Sequence, residues 1–133
     1  MSALLDELTR IVGATHLLTG IDIPPQHCTD WFQTHSCEPR ALVRPGTPDE
    51  VAQVMAICHR HDQPVTPQGG LTGLVAGAVP AQGDVALSLT RLSGIEELDT
   101  SAGTITVLAG TPLQTVQEAA RAAGLLLAVD LGA

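Results

Sequence analysis

Hydrophobic residues recur at helical spacing in three segments of the chain, which predicts three α-helices. These segments are residues 2–12, 47–61 and 111–124. Each opens with a residue that favours the N-cap position, namely Ser2, Thr47 or Thr111, and the last two continue with a proline at the first helical position. Glu50 completes a capping box with Thr47, so the second helix has the clearest start.

The apolar positions of each predicted helix fall on one face, which we expect to pack on a sheet. In chain order these faces are Leu4, Leu5, Leu8, Ile11 and Val12; then Val51, Val54, Met55 and Cys58; and then Leu113, Val116, Ala120 and Ala123. Gly13 and Gly124 are natural stops for the first and third helices, because glycine accepts the left-handed conformation that ends many helices.

Short apolar runs between the helices predict β-strands at residues 41–43, 64–66 and 85–89. The first strand, the second helix and the second strand have the spacing of a right-handed crossover, which makes these strands parallel. Residues 85–89 are almost continuously apolar, a pattern typical of a strand buried on both faces. The first half of the domain is therefore predicted to be a small parallel βαβ sheet.

The pattern changes after Arg91. Residues 95–99 and 104–109 flank a polar turn that ends in glycine, which predicts an antiparallel hairpin, and residues 125–129 predict one more strand. Residues 14–39, called the arm below, show no periodicity, and we expect them to be irregular. The predicted fold class is α+β, a small parallel sheet followed by the start of an antiparallel sheet with helices.

We divide the chain into residues 1–40, the N-terminal helix and the arm, and residues 41–133, one domain. A hairpin followed by one helix leaves an apolar sheet edge unpaired, which proteins normally avoid. We therefore expect the domain to be incomplete at its C-terminal end. The alternative is a complete chain that closes its open sheet edge against a second copy and forms a homodimer.

Composition narrows the classes of function. A formal net charge of −8 argues against nucleic acid as a partner, because phosphates require a basic surface. No apolar run approaches the roughly 20 residues of a membrane-spanning helix, and the acidic Asp6 and Glu7 stand where an export signal carries positive charge. Three cysteines cannot all pair within the chain, so reduced thiols in the cytoplasm are the simplest account.

One stretch carries candidate chemistry: residues 67–80, called the glycine-rich loop below. It holds Gly69, Gly70, Gly73 and Gly77 directly after a predicted strand. Such a turn can present free backbone amides to an anion, and the hydroxyl of Thr72 adds a donor. The alternative is an ordinary turn at a buried crossing. A Walker-type loop is excluded because the chain has no lysine, and Gln68 replaces the first glycine of the dinucleotide fingerprint.

Five segments, in order, resemble the PCMH-type, vanillyl-alcohol-oxidase-like FAD-binding domain of flavin-linked 2-hydroxy-acid dehydrogenases and oxidases. They are residues 41–45, 47–51, 64–80, 107–110 and 130–133. The branch they are most similar to acts on D-lactate, D-2-hydroxyglutarate and glycolate. The resemblance extends over residues 30–133 and favours the anion-binding interpretation of the glycine-rich loop.

The resemblance implies that the chain binds FAD through two segments. The first wraps the pyrophosphate with its amides, and the second contacts the flavin and continues into another glycine-rich stretch in the family. The implied cofactor-binding residues are Pro67, Gln68, Gly69, Gly70, Leu71, Thr72, Gly73, Leu74, Gly77 and Ala78, followed by Asp130, Leu131 and Gly132. Two residues depart from the family pattern: Ala76 replaces a usual glycine and Ala128 a usual proline.

The implied reaction is hydride transfer from the hydroxyl-bearing carbon of a small 2-hydroxy acid to FAD. The groups that bind the substrate carboxylate and take its proton lie in the family's C-terminal cap region, which this sequence does not contain. We therefore assign no catalytic residue here. We expect this chain alone to be inactive and to bind FAD weakly or not at all.

Two alternatives stay open. His27, Cys28, His35 and Cys37 are a ligand set that zinc accepts, but their spacing matches no standard motif, so we assign no metal site. The second is a non-enzymatic nucleotide-binding or self-associating module that uses the same loop or the open sheet edge.

Overall fold

A computed structural model describes residues 2–131 of the chain. It contains three α-helices and six β-strands among those residues. In chain order they are α1 (Ala3–Val12), β1 (Leu17–Leu18), β2 (Ala41–Val43), α2 (Pro48–Arg60), β3 (Val65–Gln68), β4 (Val85–Ser88), β5 (Ile95–Asp99), β6 (Thr104–Val107) and α3 (Leu113–Ala122). The mixture of a parallel sheet, an antiparallel sheet and helices confirms the α+β class.

The main sheet has the strand order β1-β2-β4-β3. Strands β2 and β3 both pair in parallel with β4, which confirms the predicted parallel arrangement and places β4 between the two strands of the crossover. The arm was expected to be irregular, yet Leu17 and Leu18 form β1 and pair antiparallel with β2. Two residues are too few to give a period, so this edge strand leaves no signal in the sequence.

Both faces of the main sheet are covered. Helices α1 and α2 pack on one face, where Leu8 and Val54 meet Val43 and Val85 in one buried cluster. On the other face, Ile23 of the arm packs on the side chains of β2 and β4, together with the half-buried Leu18 and Cys28. The double coverage explains why every residue of β4 is buried, as its continuous apolar sequence predicted.

Helix α2 begins as predicted, with a small change in the capping box. The Glu50 amide donates to Thr47 Oγ1 at 3.1 Å, and the Glu50 carboxylate accepts from the amide of Gly46 at 2.7 Å, one residue before the position that the motif predicts. The buried face of α2 is Val54, Ile57 and Cys58. Met55 was wrongly placed on it and is exposed.

The predicted caps of the other two helices are wrong in detail. Ser2 occupies the N-cap position of α1, but its hydroxyl accepts from Arg40 at 3.1 Å and caps no helix amide. Thr111 lies before the start of α3, which begins at Leu113. The Thr111 hydroxyl donates to the carbonyl of Leu108 at 2.7 Å and lies within 3.0 Å of the Gly94 carbonyl and amide, so it fastens the base of the hairpin.

The hairpin of β5 and β6 is confirmed, with an irregularity in register between Ile95 and Glu97. The strand predicted over residues 125–129 is not formed: residues 123–131 have no regular structure. A strand needs a neighbour for its backbone hydrogen bonds, and none of the described strands pairs with this segment. Leu126 is accordingly exposed.

None of the helices in residues 2–131 combines the length and the apolarity that crossing a membrane requires.

Outside the core, a polar clamp joins α1 to the end of α2. The carboxylate of Glu7 accepts hydrogen bonds from Arg60 and, at 3.0 Å, from His61 Nε2. The hydrogen bond from His61, followed by the hydrogen bond and charge of Arg60, lowers the pKa of Glu7.

We expect the substitution Glu7→Gln to lower the midpoint of thermal unfolding at pH 7, by about 2 °C, because surface ion pairs are weak. Since the pKa of Glu7 is lowered from 4.5 by folding, its contribution is complete above pH 4.5 and is lost as the pH falls further. Thermal melts of the variant and the original chain should therefore converge below pH 4.5. Glu97→Gln, on exposed β5, is the control, and an equal loss there would contradict the clamp.

Candidate functional site

The glycine-rich loop leaves the main sheet at the carboxyl end of β3. The Gln68 carbonyl still accepts from the amide of Leu89 at 2.9 Å, which is the last hydrogen bond between this region and β4. Residues 69–78 then contain bends and turns but no helix or strand. Ligands of sheets with parallel strands characteristically bind at this end.

The amides of the loop are free within the described structure. No backbone N–H of residues 69–78 donates to another group in residues 2–131, and the first to do so after them is that of Val79, which bonds the Ala76 carbonyl at 3.1 Å. Engaged amides or a helical loop would have excluded an anion site. Free donors in successive turns instead form the concave kind of surface that binds anions.

The loop glycines are not required by the fold itself. A Cβ atom added to Gly69, Gly70, Gly73 or Gly77 would have no neighbour within 4 Å. Gly110 behaves in the opposite way, because an added Cβ would lie 1.8 Å from the Leu89 carbonyl oxygen. Glycine at the four loop positions therefore leaves open space beside the backbone, which a bound molecule can use.

Two loop residues that are not glycine adopt the left-handed conformation: Leu71 with φ of 60° and Ala76 with φ of 57°. This conformation is strained for a residue with a side chain. The departure noted at Ala76 thus affects the conformational energy of the loop directly, because a glycine there would take the same φ without strain.

A cavity of about 560 Å³ opens between the glycine-rich loop and the arm. Its walls include Pro25, His27, Asp30 and Trp31 from the arm, Gly69, Gly70 and Leu71 from the loop, and Thr90 after β4. Trp31, the only tryptophan of the chain, is 63% exposed beside this opening. The cavity thus has two walls from distant parts of the sequence. Four more of the predicted residues, Thr72, Gly73, Leu74 and Gly77, are exposed and follow farther along the loop.

Asp30 shapes the arm's wall of the cavity. Its carboxylate accepts from the amides of Thr34 and His35 at 2.7 and 2.8 Å and from the Thr34 hydroxyl at 2.8 Å. The backbone hydrogen bond from His35, with those from Thr34, lowers the pKa of Asp30. The ionised carboxylate closes a tight turn that presents Trp31 and Phe32, both exposed.

The two arginines nearest the sheet ends bind the chain itself. Arg44 donates to the Thr15 carbonyl at 2.7 Å, and Arg91 donates to the Arg44 carbonyl at 2.6 Å. The same two arginines, after desolvation as the largest cause, lower the pKa of His16. These contacts fasten the arm to the sheet, so the donors of the loop are backbone amides and not guanidinium groups.

The second predicted segment lies apart from the loop. Asp130 lines a depression beside α3 with Gln117 and Arg121, and Leu131 is exposed. The Gln117 side chain donates to the Val129 carbonyl at 2.9 Å. Neither Asp130 nor Leu131 shares a hydrogen bond or a cavity with the glycine-rich loop in the described structure, and Gly132 lies outside the described residues.

The histidines and cysteines of the arm do not converge. Within residues 2–131, no three of the histidine, cysteine, aspartate and glutamate side chains are grouped closely enough to hold a metal ion. Cys28 and Cys37 are joined through backbone, by a hydrogen bond of 2.8 Å from the Cys37 amide to the Cys28 carbonyl. His35 contacts Thr34 and Asp30 instead.

The sequence reasoning missed the arm's contribution to the site. His27 was considered only as a zinc ligand, and Asp30 and Trp31 were given no role. One signal was present in the sequence: the chain's only tryptophan and only phenylalanine, Trp31 and Phe32, are adjacent in a segment without periodicity, and loop residues often carry binding functions.

Comparison with known proteins gives these features a context. A model of a protein family described as FAD binding domain matches residues 39–133. D-2-hydroxyglutarate dehydrogenase of Xanthomonas citri pv. viticola is 40% identical over 126 residues, which cover 95% of this chain and 27% of that protein. The mitochondrial D-2-hydroxyglutarate dehydrogenase of Bos taurus is 30% identical over 129 residues, 97% of this chain and 24% of that protein. The chain thus spans about a quarter of these relatives.

Solved structures show the same fold at lower identity. Alkyldihydroxyacetonephosphate synthase aligns with a TM-score of 0.85 and 16% identity over 96% of this chain and 26% of its own. p-Cresol methylhydroxylase aligns with a TM-score of 0.76 and 21% identity over 92% of this chain and 24% of its own.

The difference between the open Gly70 and the crowded Gly110 can be tested by substitution. We expect Gly110→Ala to lower the free energy of unfolding by about 1–3 kcal/mol, because the new methyl group overlaps the Leu89 carbonyl. Gly70→Ala should change it by less than about 1 kcal/mol, since the position is open and a lost glycine also restricts the unfolded chain. Urea unfolding of both variants measures these values. Equal destabilisation by both would show that the loop glycines serve the fold.

Proposed function

Because this chain belongs to the FAD binding domain family, which its residues 39–133 match, we propose that its glycine-rich loop binds the diphosphate of FAD. The resemblance found in five sequence segments is thereby confirmed. The observation that supports the proposal most directly is the set of free amides in residues 69–78, which lie beside an open cavity.

The residues present fit such a ligand. A diphosphate is an anion with many acceptor oxygens, and the loop offers backbone N–H donors that have no acceptor within residues 2–131. The open space above the four loop glycines admits phosphate oxygens to the backbone, and the exposed Thr72 hydroxyl adds a donor. Recognition through amides agrees with the contacts of Arg44 and Arg91, whose guanidinium groups donate to the backbone carbonyls of Thr15 and Arg44.

Within the proposal, the ten predicted residues of the loop divide by position. The amides of residues 69–74, with those of Gly77 and Ala78, contact the phosphates, whereas Pro67 and Gln68 end the strand that carries the loop. Asp130, Leu131 and Gly132 begin a second contact with the cofactor. Of these residues, Asp130 lines the depression beside α3 in the described structure.

We also propose that the complete protein oxidises a small 2-hydroxy acid, since several relatives are named as D-2-hydroxyglutarate dehydrogenases and one as a D-lactate dehydrogenase. Bound FAD supplies the hydride acceptor for such a reaction. In this proposal the described residues form the loop and arm walls of a cofactor site, and none of them is assigned to the substrate. The chain alone is therefore proposed to be catalytically silent. We also propose a cytoplasmic location, with which its three free thiols agree.

We expect FAD to bind this chain weakly, so that FAD at millimolar concentration shifts the backbone amide NMR signals of residues 69–78 in a saturable way and quenches the fluorescence of Trp31. Gly70→Val should weaken this binding at least about tenfold, because its side chain fills the space that the phosphates need. Thr72→Val should weaken it by about threefold to tenfold through the loss of one hydroxyl donor.

Thr100→Val is the matched control for Thr72→Val, because Thr100 is equally exposed but lies in the turn of the hairpin. It should leave the binding of FAD unchanged. Loop signals that stay in place at millimolar FAD, or move equally with riboflavin, which lacks the diphosphate, would contradict the proposal.

The proposal that this chain alone is catalytically silent is tested by a separate assay. The chain mixed with FAD should not reduce a redox dye with D-lactate, D-2-hydroxyglutarate or glycolate. Dye reduction above the rate of free FAD would overturn the expectation that this chain alone is silent.

A further inference from the structure

The side chain of Gln68 is buried at the point where the glycine-rich loop begins, with only 1% of its surface exposed. It makes three hydrogen bonds, and their partners come from two separate segments. Its Nε2 donates to the Ala78 carbonyl at 2.8 Å and to the His27 carbonyl at 2.9 Å, and its Oε1 lies 2.7 Å from His27 Nδ1. One amide group therefore joins the start of the loop, the end of the loop and the arm.

The orientation of this amide follows from its partners. Two of them are backbone carbonyl oxygens, which only accept, so the NH₂ group of Gln68 must face both. Its oxygen then faces His27, and Nδ1 of His27 must carry the proton that it donates. When its ring is neutral, His27 is thus held as the Nδ1–H tautomer, and Nε2 makes no hydrogen bond to another group in residues 2–131.

These contacts coincide with the cavity. Its two walls are the loop at Gly69–Leu71 and the arm at 25–33, and Gln68 with His27 lies at the junction of those walls. Among the described residues, no other side-chain hydrogen bond links the arm to residues 69–78. Separation of the arm from the loop would leave the buried His27 carbonyl without its donor and would break the contact between Gln68 Oε1 and His27 Nδ1, at a cost comparable to two lost hydrogen bonds.

We propose that Gln68 is a positioning residue, whose amide holds the glycine-rich loop and the arm at a fixed separation so that the cofactor cradle exists before the ligand arrives. This inference rests on the proposed function for the identity of the ligand, and it changes the role of Gln68 from ligand contact to support. The loop amides then bind the diphosphate without first losing the freedom of an unanchored segment, which favours affinity.

The chain contains a matched control. Gln63 lies just before β3, whereas Gln68 is the last residue of that strand. Gln63 is also buried and donates to the carbonyls of Pro64 and Gly83 at 2.9 and 2.8 Å. Its Oε1 accepts from Arg40 at 3.1 Å. Gln63 therefore has the same residue type, burial and bonding pattern at the opposite end of the same strand, away from the cavity.

The experiment compares Gln68→Met with Gln63→Met in the ¹⁵N-labelled chain. Both substitutions keep the length of the side chain and remove its amide, so both should lower stability by similar amounts. Gln68→Met alone should weaken FAD binding, by about tenfold. It should also broaden or shift the loop amide signals and change the ¹⁵N shifts of the His27 ring from those of the Nδ1–H tautomer to the mixture found in a solvated histidine.

His27→Asn and His27→Leu form a second pair. Asparagine retains an N–H donor close to the position of Nδ1, so it should keep FAD affinity within about threefold of the original chain, whereas leucine should weaken it about tenfold. Equal FAD affinity in Gln68→Met and the original chain, or equal weakening by both methionine variants, would overturn the inference.

If the proposed binding of FAD is wrong, these experiments give a different result from the one expected if the role of Gln68 is wrong. If FAD moves no signal of the original chain, the ligand is wrong, but the loop signals and the His27 tautomer still decide the role of Gln68. A His27 ring in the Nε2–H tautomer in the original chain would overturn that role whatever the ligand.

Discussion

The structure depends on a stretch of backbone whose amide groups find no acceptor within residues 2–131. Buried amides without acceptors are costly, so residues 69–78 must stay in contact with solvent or with a ligand. The surrounding elements satisfy this constraint by exposing the loop at a sheet end. The parallel pairing of β3 with β4 fixes where the loop begins, and the turn at Val79 fixes where it ends. An anion that replaces water at these amides gains a set of donors that is already oriented.

The arm gives that loop its second wall, although its sequence shows no periodicity. Ile23 fills the sheet face opposite the helices, while the ionised Asp30 closes the turn that carries Trp31. Gln68 then ties the arm to the loop. The arm thus contributes Ile23 to the core and His27, Asp30 and Trp31 to the cavity, so the folding of the domain and the formation of its site are coupled.

Interactions between residues close in sequence made most of the helices and strands predictable. The capping residues of α2, the apolar run of β4 and the polar turn of the hairpin each act within a few residues, and all three were placed correctly. The contact between His27 and Gln68 joins positions 41 residues apart, and a single sequence carries no sign of such a pairing. The segment 125–129 failed for a related reason, because apolar β-forming residues become a strand only beside another strand. The loop itself was located from its glycines, but only the structure separates open glycines from the crowded Gly110.

Ala76 departs from the family pattern, which has glycine at this position, and the geometry of the loop shows the consequence. The resemblance implies that a methyl group at this position lies close to the cofactor. The structure also gives Ala76 a φ of 57°, so the substitution strains the residue's own backbone. Two hydrogen bonds support this turn: Val79 donates to the Ala76 carbonyl, and Gln68 donates to the Ala78 carbonyl. The substitution removes no donor, so the loop keeps its full set of amides and depends more strongly on the residues that support it.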